Sequence, residues 1–138
     1  MSAPADQQVD EQRIAEEIER FKRSSPSSLF YIARSRPNAD APTAPSPSRV
    51  LEHIEYIRSL QDTGVLFCAG MTIDESGTPL SDSIMIVRAK DADEATRIVG
   101  SDPLHRDDIR HFTIERLRVN FGSVNFRVTF PGTAVSFE

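Results

Sequence analysis

Two short runs in this chain carry apolar residues on both alternating parities, and they restrict the folds that the chain can adopt. In residues 29–34, LFYIAR, the apolar side chains occupy both alternating parities, so a strand there has two apolar faces. Residues 83–89, SIMIVRA, repeat the pattern. A sheet built from such strands has to be covered on both sides, because apolar area left in water forfeits about 25 cal/mol per Å².

The remaining elements follow a regular order around these two runs. Helices are predicted over about 46–63 and 91–100, since capping residues stand at their starts and glycines at their ends. Further strands are predicted at 65–70 and 111–120. The last is predicted to have a bulge or to change its neighbouring strand midway, because its apolar parity changes. The order strand, helix, strand, strand, helix, strand predicts a ferredoxin-like βαββαβ subunit of the α+β class over residues 29–120.

Two helices can cover only one face of a four-stranded sheet, so the second apolar face needs another cover. The same face of a second copy is the simplest cover, which predicts a homodimer or a higher homo-oligomer. The alternative is that the C-terminal segment of the chain covers this face itself.

The segments on either side of the subunit are predicted to be additions to it. Residues 1–28 contain a charged helix over 10–23 and a short linker. Residues 121–138 alternate apolar and other side chains around Pro131 and Gly132, a pattern typical of a β-hairpin.

Charge and composition argue against several classes of function. The 16 basic and 21 acidic residues give a net charge of -5, the opposite of the footprint of a nucleic-acid-binding protein. The longest apolar run, Val65 to Ala69, is far shorter than the roughly 20 residues that span a bilayer, so no membrane segment is expected. Cys68 is the lone cysteine and is interpreted as a small core residue; with no signal peptide visible, a reducing, cytoplasmic setting is expected.

One histidine and one aspartate are the candidates for chemistry. His53 lies on the apolar side of the first long helix, together with Val50, Ile54, Ile57 and Leu60. Asp102 follows the second helix, directly before Pro103. A carboxylate that orients an imidazole makes a general acid–base pair near neutral pH. The alternative is a structural histidine in the core and an aspartate that caps the turn before Pro103.

Other polar residues are weaker candidates. Arg34, at the end of the first strand, can bind a substrate carboxylate, and Tyr31 can donate a hydrogen bond, although a solvated arginine and a core aromatic are the alternatives. His105 and His111 raise the question of a metal, but no cysteine pair or H-x-H spacing supports one. Neither a metal nor another cofactor is expected.

The sequence resembles the YciI-like (YCII-related) domain family over about residues 29–120. The resemblance is carried by SPSRVLEHIEYIRSLQDTGVLFCAG, with an arginine shortly before a helix histidine, and by SIMIVRAKDADEATRIVGSDPLHRDDIRHFTIERL, with its Asp-Pro. It implies a dimeric α/β barrel of ferredoxin-like subunits with a pocket that bears a histidine and an aspartate, here His53 and Asp102. Some relatives eliminate chloride from chlorinated hydroxyquinols, and many have no assigned reaction.

The chain departs from the family pattern at two positions of the site. Arg49 precedes His53 by four residues where three is more usual, which leaves its role in anion binding open. Leu104 stands where an aromatic residue usually follows Asp-Pro, so one pocket wall differs.

These observations lead to two hypotheses about function. The first is a small cofactor-free lyase or isomerase, similar to a dehydrochlorinase, that acts on an aromatic or carbonyl-containing metabolite. In it, His53 is the base and Asp102 orients it, and the substrate-binding residues are Arg34, Arg49 and Tyr31. The second is a non-catalytic dimer that binds a small molecule or a partner.

Overall fold

A computed structural model of the chain describes residues 5–24, 29–41, 44–122, 126–128 and 135–137. They fall into two compact units, of which the larger lies within Ser27–Arg118 and the other is formed by the segments before and after it. Most of the predicted linker, and the turn predicted at Pro131 and Gly132, lie outside the described residues.

The larger unit is a ferredoxin-like α+β subunit, as predicted. Its four strands form one antiparallel sheet in the order β2-β3-β1-β4. In chain order the helices of the chain are α1 (Ala5–Ser24), α2 (Pro47–Asp62), α3 (Ala92–Gly100) and α4 (Pro103–Arg106), and the strands are β1 (Phe30–Pro37), β2 (Leu66–Ile73), β3 (Pro79–Arg88), β4 (Arg110–Leu117), β5 (Phe126–Val128) and β6 (Val135–Phe137).

Outside this unit, β5 and β6 pair with each other in antiparallel fashion. Among the described residues, no helix combines the length and the apolar character that crossing a membrane requires.

The two long helices of the larger unit begin where their capping residues stand. The Ser46 hydroxyl accepts a hydrogen bond from the backbone N–H of Arg49 at 3.3 Å, and Pro47 occupies the first turn of α2. The Asp91 carboxylate accepts from the N–H of Glu94 at 2.8 Å and so begins α3. These caps fix where each helix enters the fold, and therefore which residues face the sheet.

The helices pack on one face of the sheet, which we call the helix-covered face. Alternate residues of β1 and β3 are buried there against α2 and α3, in a core made of Tyr31, Ala33, Leu60, Met85, Val87, Ala95 and Val99. The intervening residues lie on the opposite face, which we call the open face. Ile32 and Ile86 are paired across it and are only partly buried. Both faces of β1 and β3 are thus apolar, as the sequence indicates.

The prediction that the last strand of the sheet has a bulge, or changes its neighbouring strand, is wrong. β4 pairs with β1 in an unbroken register, and its parity changes because Phe112 and Ile114 lie on the helix-covered face whereas Leu117 lies on the open face. The irregular strand is β2, whose register shifts between Leu66 and Cys68.

The prediction of a buried Cys68 is also wrong. Cys68 is exposed, because it lies on the edge strand β2 and opposite Ile86 of the open face. Phe67, in the bulge beside it, is 55% exposed and packs edge-on against Phe30 with ring centroids 5.5 Å apart. The open face therefore presents aromatic as well as aliphatic side chains.

The inward side of α2 differs from the predicted apolar stripe. Leu60 is buried, but Val50 and Ile54 are 36% and 39% exposed. His53 and Tyr56 are partly buried in their place, because polar atoms on both side chains find partners in the layer beneath the helix. The helix is thus turned so that two polar-tipped side chains face inward.

Candidate functional site

The helix-covered face changes character along its length. At one end Tyr31 and Ala33 of β1 belong to the core, whereas Ser35 follows them on the same parity. Ser83 of β3 is paired with Ser35, and Arg110 of β4 also lines this end. Because small and polar side chains replace core residues here, the helices cannot close onto the sheet.

A pocket of about 280 Å³ occupies this end of the face, beneath α2 and α4. Leu104 and Met85 are among its apolar wall residues. Its polar lining residues are Ser35, His53, Ser83, Asp102, His105 and Arg110.

His53 and Asp102, 49 residues apart in sequence, meet in this pocket. Nδ1 of His53 lies 2.7 Å from Oδ2 of Asp102. The Asp102 side chain is only 1% exposed, whereas that of His53 reaches the pocket. The two residues selected from the sequence are therefore in direct contact.

Asp102 also caps the short helix α4. Its Oδ1 accepts a hydrogen bond from the backbone N–H of Leu104 at 2.9 Å, so the break before Pro103 is followed by a new helical turn. The capping role and the contact with His53 use different oxygens of one carboxylate. The two alternatives considered from the sequence are thus compatible.

This arrangement defines the proton positions on His53. An ionised carboxylate can only accept hydrogen bonds, so Nδ1 of His53 carries the proton that Asp102 accepts. Nε2 then has a free lone pair, and within the described residues it has no hydrogen-bond partner. The pair presents an acceptor nitrogen to the pocket.

Arg49 and Tyr56 fix α2 over its neighbours. Nε of Arg49 contacts Oδ2 of Asp107, just after α4, at 2.8 Å. A hydrogen bond from Arg106, with the charges of Arg106 and Arg49, lowers the pKa of Asp107. The Tyr56 hydroxyl donates to the carbonyl of Ile98 in α3 at 2.6 Å. Arg49 is thus engaged in holding the helices that bring His53 and Asp102 together.

A second chain of hydrogen bonds runs along the floor of the pocket. Nδ1 of His105 lies 2.8 Å from the carbonyl of Val99, which can only accept, so Nδ1 is protonated. Nε2 of His105 then accepts from the Ser35 hydroxyl at 2.8 Å, and Oγ of Ser35 accepts from Nε of Arg110 at 2.9 Å. Burial lowers the pKa of His105, which keeps the ring neutral.

The other three residues selected from the sequence, Arg34, Arg49 and Tyr31, do not line the pocket. Arg34 lies on the open face, where its Nε contacts Oε1 of Glu115 at 3.0 Å. Tyr31 is buried in the core beneath the helices.

Sequence reasoning overlooked Ser35 and Arg110, and it considered His105 only as a metal ligand. A signal was present: Ser35 shares the parity of Tyr31 and Ala33, so a serine stands where the strand pattern calls for a core residue. Within the part of the chain that the structure describes, no group of three histidine, cysteine or acidic side chains is placed to hold a metal ion.

Comparison with known proteins gives one family match. The sequence model of the YCII-related domain matches residues 30–118. Curated proteins give no match. One similar solved structure is 5-chloro-2-hydroxyhydroquinone dehydrochlorinase from Burkholderia phenoliruptrix AC1100 in complex with 2,5-dihydroxybenzoquinone. It has a TM-score of 0.48 and 17% identity, covering 64% of this chain and 93% of that chain.

The neutral His105 makes the stability of the chain depend on pH. Because burial lowers the pKa of His105 in the folded state, the unfolded chain binds a proton that the folded chain does not. The free energy of unfolding should therefore fall as the pH drops below about 6.5, the ordinary histidine pKa. We expect the His105→Gln variant to lose part of this dependence, measured by urea denaturation at a series of pH values. Arg58→Gln, at an exposed position of α2, is the control. Equal pH dependence in wild type and His105→Gln would contradict this expectation.

Proposed function

The chain belongs to the YCII-related domain family, and on that premise we propose that its pocket performs acid–base chemistry without a cofactor. The proposed activity is that of a small lyase or isomerase acting on an aromatic or carbonyl-containing metabolite. The contact of 2.7 Å between His53 and Asp102, at the wall of the pocket, is the observation that carries this proposal.

His53 is the proposed base and Asp102 the residue that orients it. Nε2 of His53 takes a proton from a ring hydroxyl or from a carbon next to a carbonyl group, and the electron pair moves toward the ring or the carbonyl oxygen. Asp102 stabilises the imidazolium that forms. In an elimination, a leaving group such as chloride then departs with its electron pair; in an isomerisation, the proton returns to another carbon. Neither route needs an oxidant or a reductant.

The size and walls of the pocket support a small, compact ligand. A volume of about 280 Å³ is at the lower end of the range for ligand sites, which suits a single substituted ring. Leu104 and Ile57 contribute apolar surface to it. Apolar walls also strengthen the electrostatic contact between His53 and Asp102, because they exclude water from it.

We expect the His53→Asn variant to lose at least about a hundredfold in turnover, since general base catalysis typically contributes that much. The assay follows two signals. One is chloride release from 5-chloro-2-hydroxyhydroquinone, and the other is the replacement of carbon-bound hydrogen by deuterium in cyclic diketones in D₂O. Arg58→Gln is the control and should keep the wild-type rate, because Arg58 is exposed on α2 and does not line the pocket. A wild-type protein without either signal, or a His53→Asn variant that keeps the rate, would favour the non-catalytic binding dimer.

We also propose that the protein is a homodimer in which the open faces of two sheets pack together. On this face Phe67 is 55% exposed, and the partly buried apolar residues are Phe30, Ile32, Ile84, Ile86 and Leu117. The ion pair of Arg34 with Glu115 gives the face both signs of charge. A second copy suits such a surface, since a two-fold axis packs the same apolar patch of both subunits together.

The dimer is tested by placing a charge at the centre of the open face. We expect wild type to have about twice the mass of 15.4 kDa in sedimentation equilibrium and Ile86→Glu to be monomeric. Ile54→Glu, on the exposed side of α2, makes the same substitution elsewhere and should stay dimeric. A monomeric wild type, or an Ile86→Glu variant that folds and remains a dimer, would overturn the proposal.

A further inference from the structure

Arg110 is a cation that the chain holds in the pocket with neutral groups. Its Nε donates to the Ser35 hydroxyl oxygen at 2.9 Å, and its Nη2 donates to the carbonyls of Ser35 and Ser81 at 2.9 and 2.8 Å. These three bonds use the Nε–H and both N–H groups of Nη2, and they fix the plane of the guanidinium.

The charge of Arg110 is not balanced by a carboxylate in contact with it. Arg34, Arg36 and Arg49 each form an ion pair with an acidic side chain, whereas no acidic group of the described residues lies within ion-pair distance of Arg110. Burial lowers the pKa of Arg110, and the charges of Asp82 and Asp102, which lie farther away, offset this only in part. An anion in the pocket would offset this cost.

Nη1 is the part of Arg110 that remains for a ligand. Among the described residues it has no hydrogen-bond partner, whereas Nε and Nη2 are occupied. A carboxylate bound through two parallel bonds needs two neighbouring donors on different nitrogens. The donors left free on a single nitrogen suit one anionic oxygen instead.

Ser35 does not compete for that oxygen. Because Nδ1 of His105 donates to the Val99 carbonyl, Nε2 of His105 has to accept the Ser35 hydroxyl proton. Ser35 is therefore an acceptor toward Arg110 and has no proton to offer a ligand. The pocket thus presents an acceptor, Nε2 of His53, and a cationic donor, Nη1 of Arg110.

We infer that Arg110 binds an ionised ring hydroxyl or enolate oxygen, so that the ligand of this pocket is a small acidic phenol or enol. This inference rests on the proposed function in that both concern one pocket. The oxygen that gains charge when His53 removes a proton is the one that Arg110 stabilises. Arg110 would then hold the anion, whereas His53 and Asp102 handle the proton.

The test uses 4-nitrophenol, a single-ring phenol whose anion is read by its visible absorbance. A cation next to the bound oxygen favours the anion. In wild type, the pKa of bound 4-nitrophenol should therefore fall by about one unit relative to that of unbound 4-nitrophenol. Arg110→Gln should abolish this shift, and Arg110→Lys should keep part of it. Arg58→Gln removes an exposed charge of α2 outside the pocket and should leave the shift intact.

The failure of this inference can be told from a failure of the proposed reaction. His53→Asn should keep the shift of the phenol, because binding of the anion does not need the base. Should Arg110→Gln fail to fold, the Nε–H resonance of Arg110 in wild type is followed instead and should move when 4-nitrophenolate is added. Three results would overturn the inference: an unchanged bound pKa in wild type, a shift that survives in folded Arg110→Gln, or no binding of 4-nitrophenol.

Discussion

The pocket of this protein depends on a buried carboxylate. Asp102 is 1% exposed, and a charge in such a position is destabilising by several kcal/mol unless donors surround it. Two donors do so: the backbone N–H of Leu104, at the start of α4, and Nδ1 of His53, on α2. Because each donor belongs to a different helix, satisfying one carboxylate fixes α2 and α4 relative to each other. That spacing leaves room for a pocket between the helices and the sheet.

The sheet supplies the other half of the site, because its side chains change from apolar to polar along the helix-covered face. Along the helix-covered face, the core residues of β1 give way to Ser35, and Arg110 stands at the corresponding end of β4. Ser35 is 5% exposed and is fully engaged, with His105 on one side and Arg110 on the other. The described residues contain no buried side-chain polar atom without a partner. A polar floor whose groups are all paired can keep its shape before a ligand enters.

Much of the fold could be predicted from local sequence, because its signals are local. Apolar runs, caps and glycines mark the elements, and their order indicates the ferredoxin-like sheet. His53 was found for the same reason, since a histidine on an apolar helix side is visible in the sequence. A change of apolar parity along β4 predicts an irregular strand if only one face of the sheet is apolar. Both faces of this sheet accept apolar residues, so the change of parity at Leu117 requires no bulge.

The arginines show where sequence reasoning stops. Arg34 ends an apolar run of β1, and the sequence suggests it as a substrate-binding residue. Its parity, however, places it on the open face beside Glu115. Arg110 follows an acidic turn and was passed over, yet its parity turns it into the pocket. Which parity faces the helices is decided by tertiary packing. The partner that holds Arg110, Ser35, is 75 residues away in the chain, and no local pattern connects the two.

The central claim is that Asp102 fixes the tautomer of His53 so that its free lone pair lies in the pocket. The most direct measurement is the ¹⁵N and ¹H NMR spectrum of the imidazole of His53 at neutral pH. The account predicts that the neutral form of the ring carries its proton on Nδ1 and leaves Nε2 unprotonated, and that this preference is lost in Asp102→Asn. A proton on Nε2 of neutral His53, or a tautomer unaffected by Asp102→Asn, would contradict it.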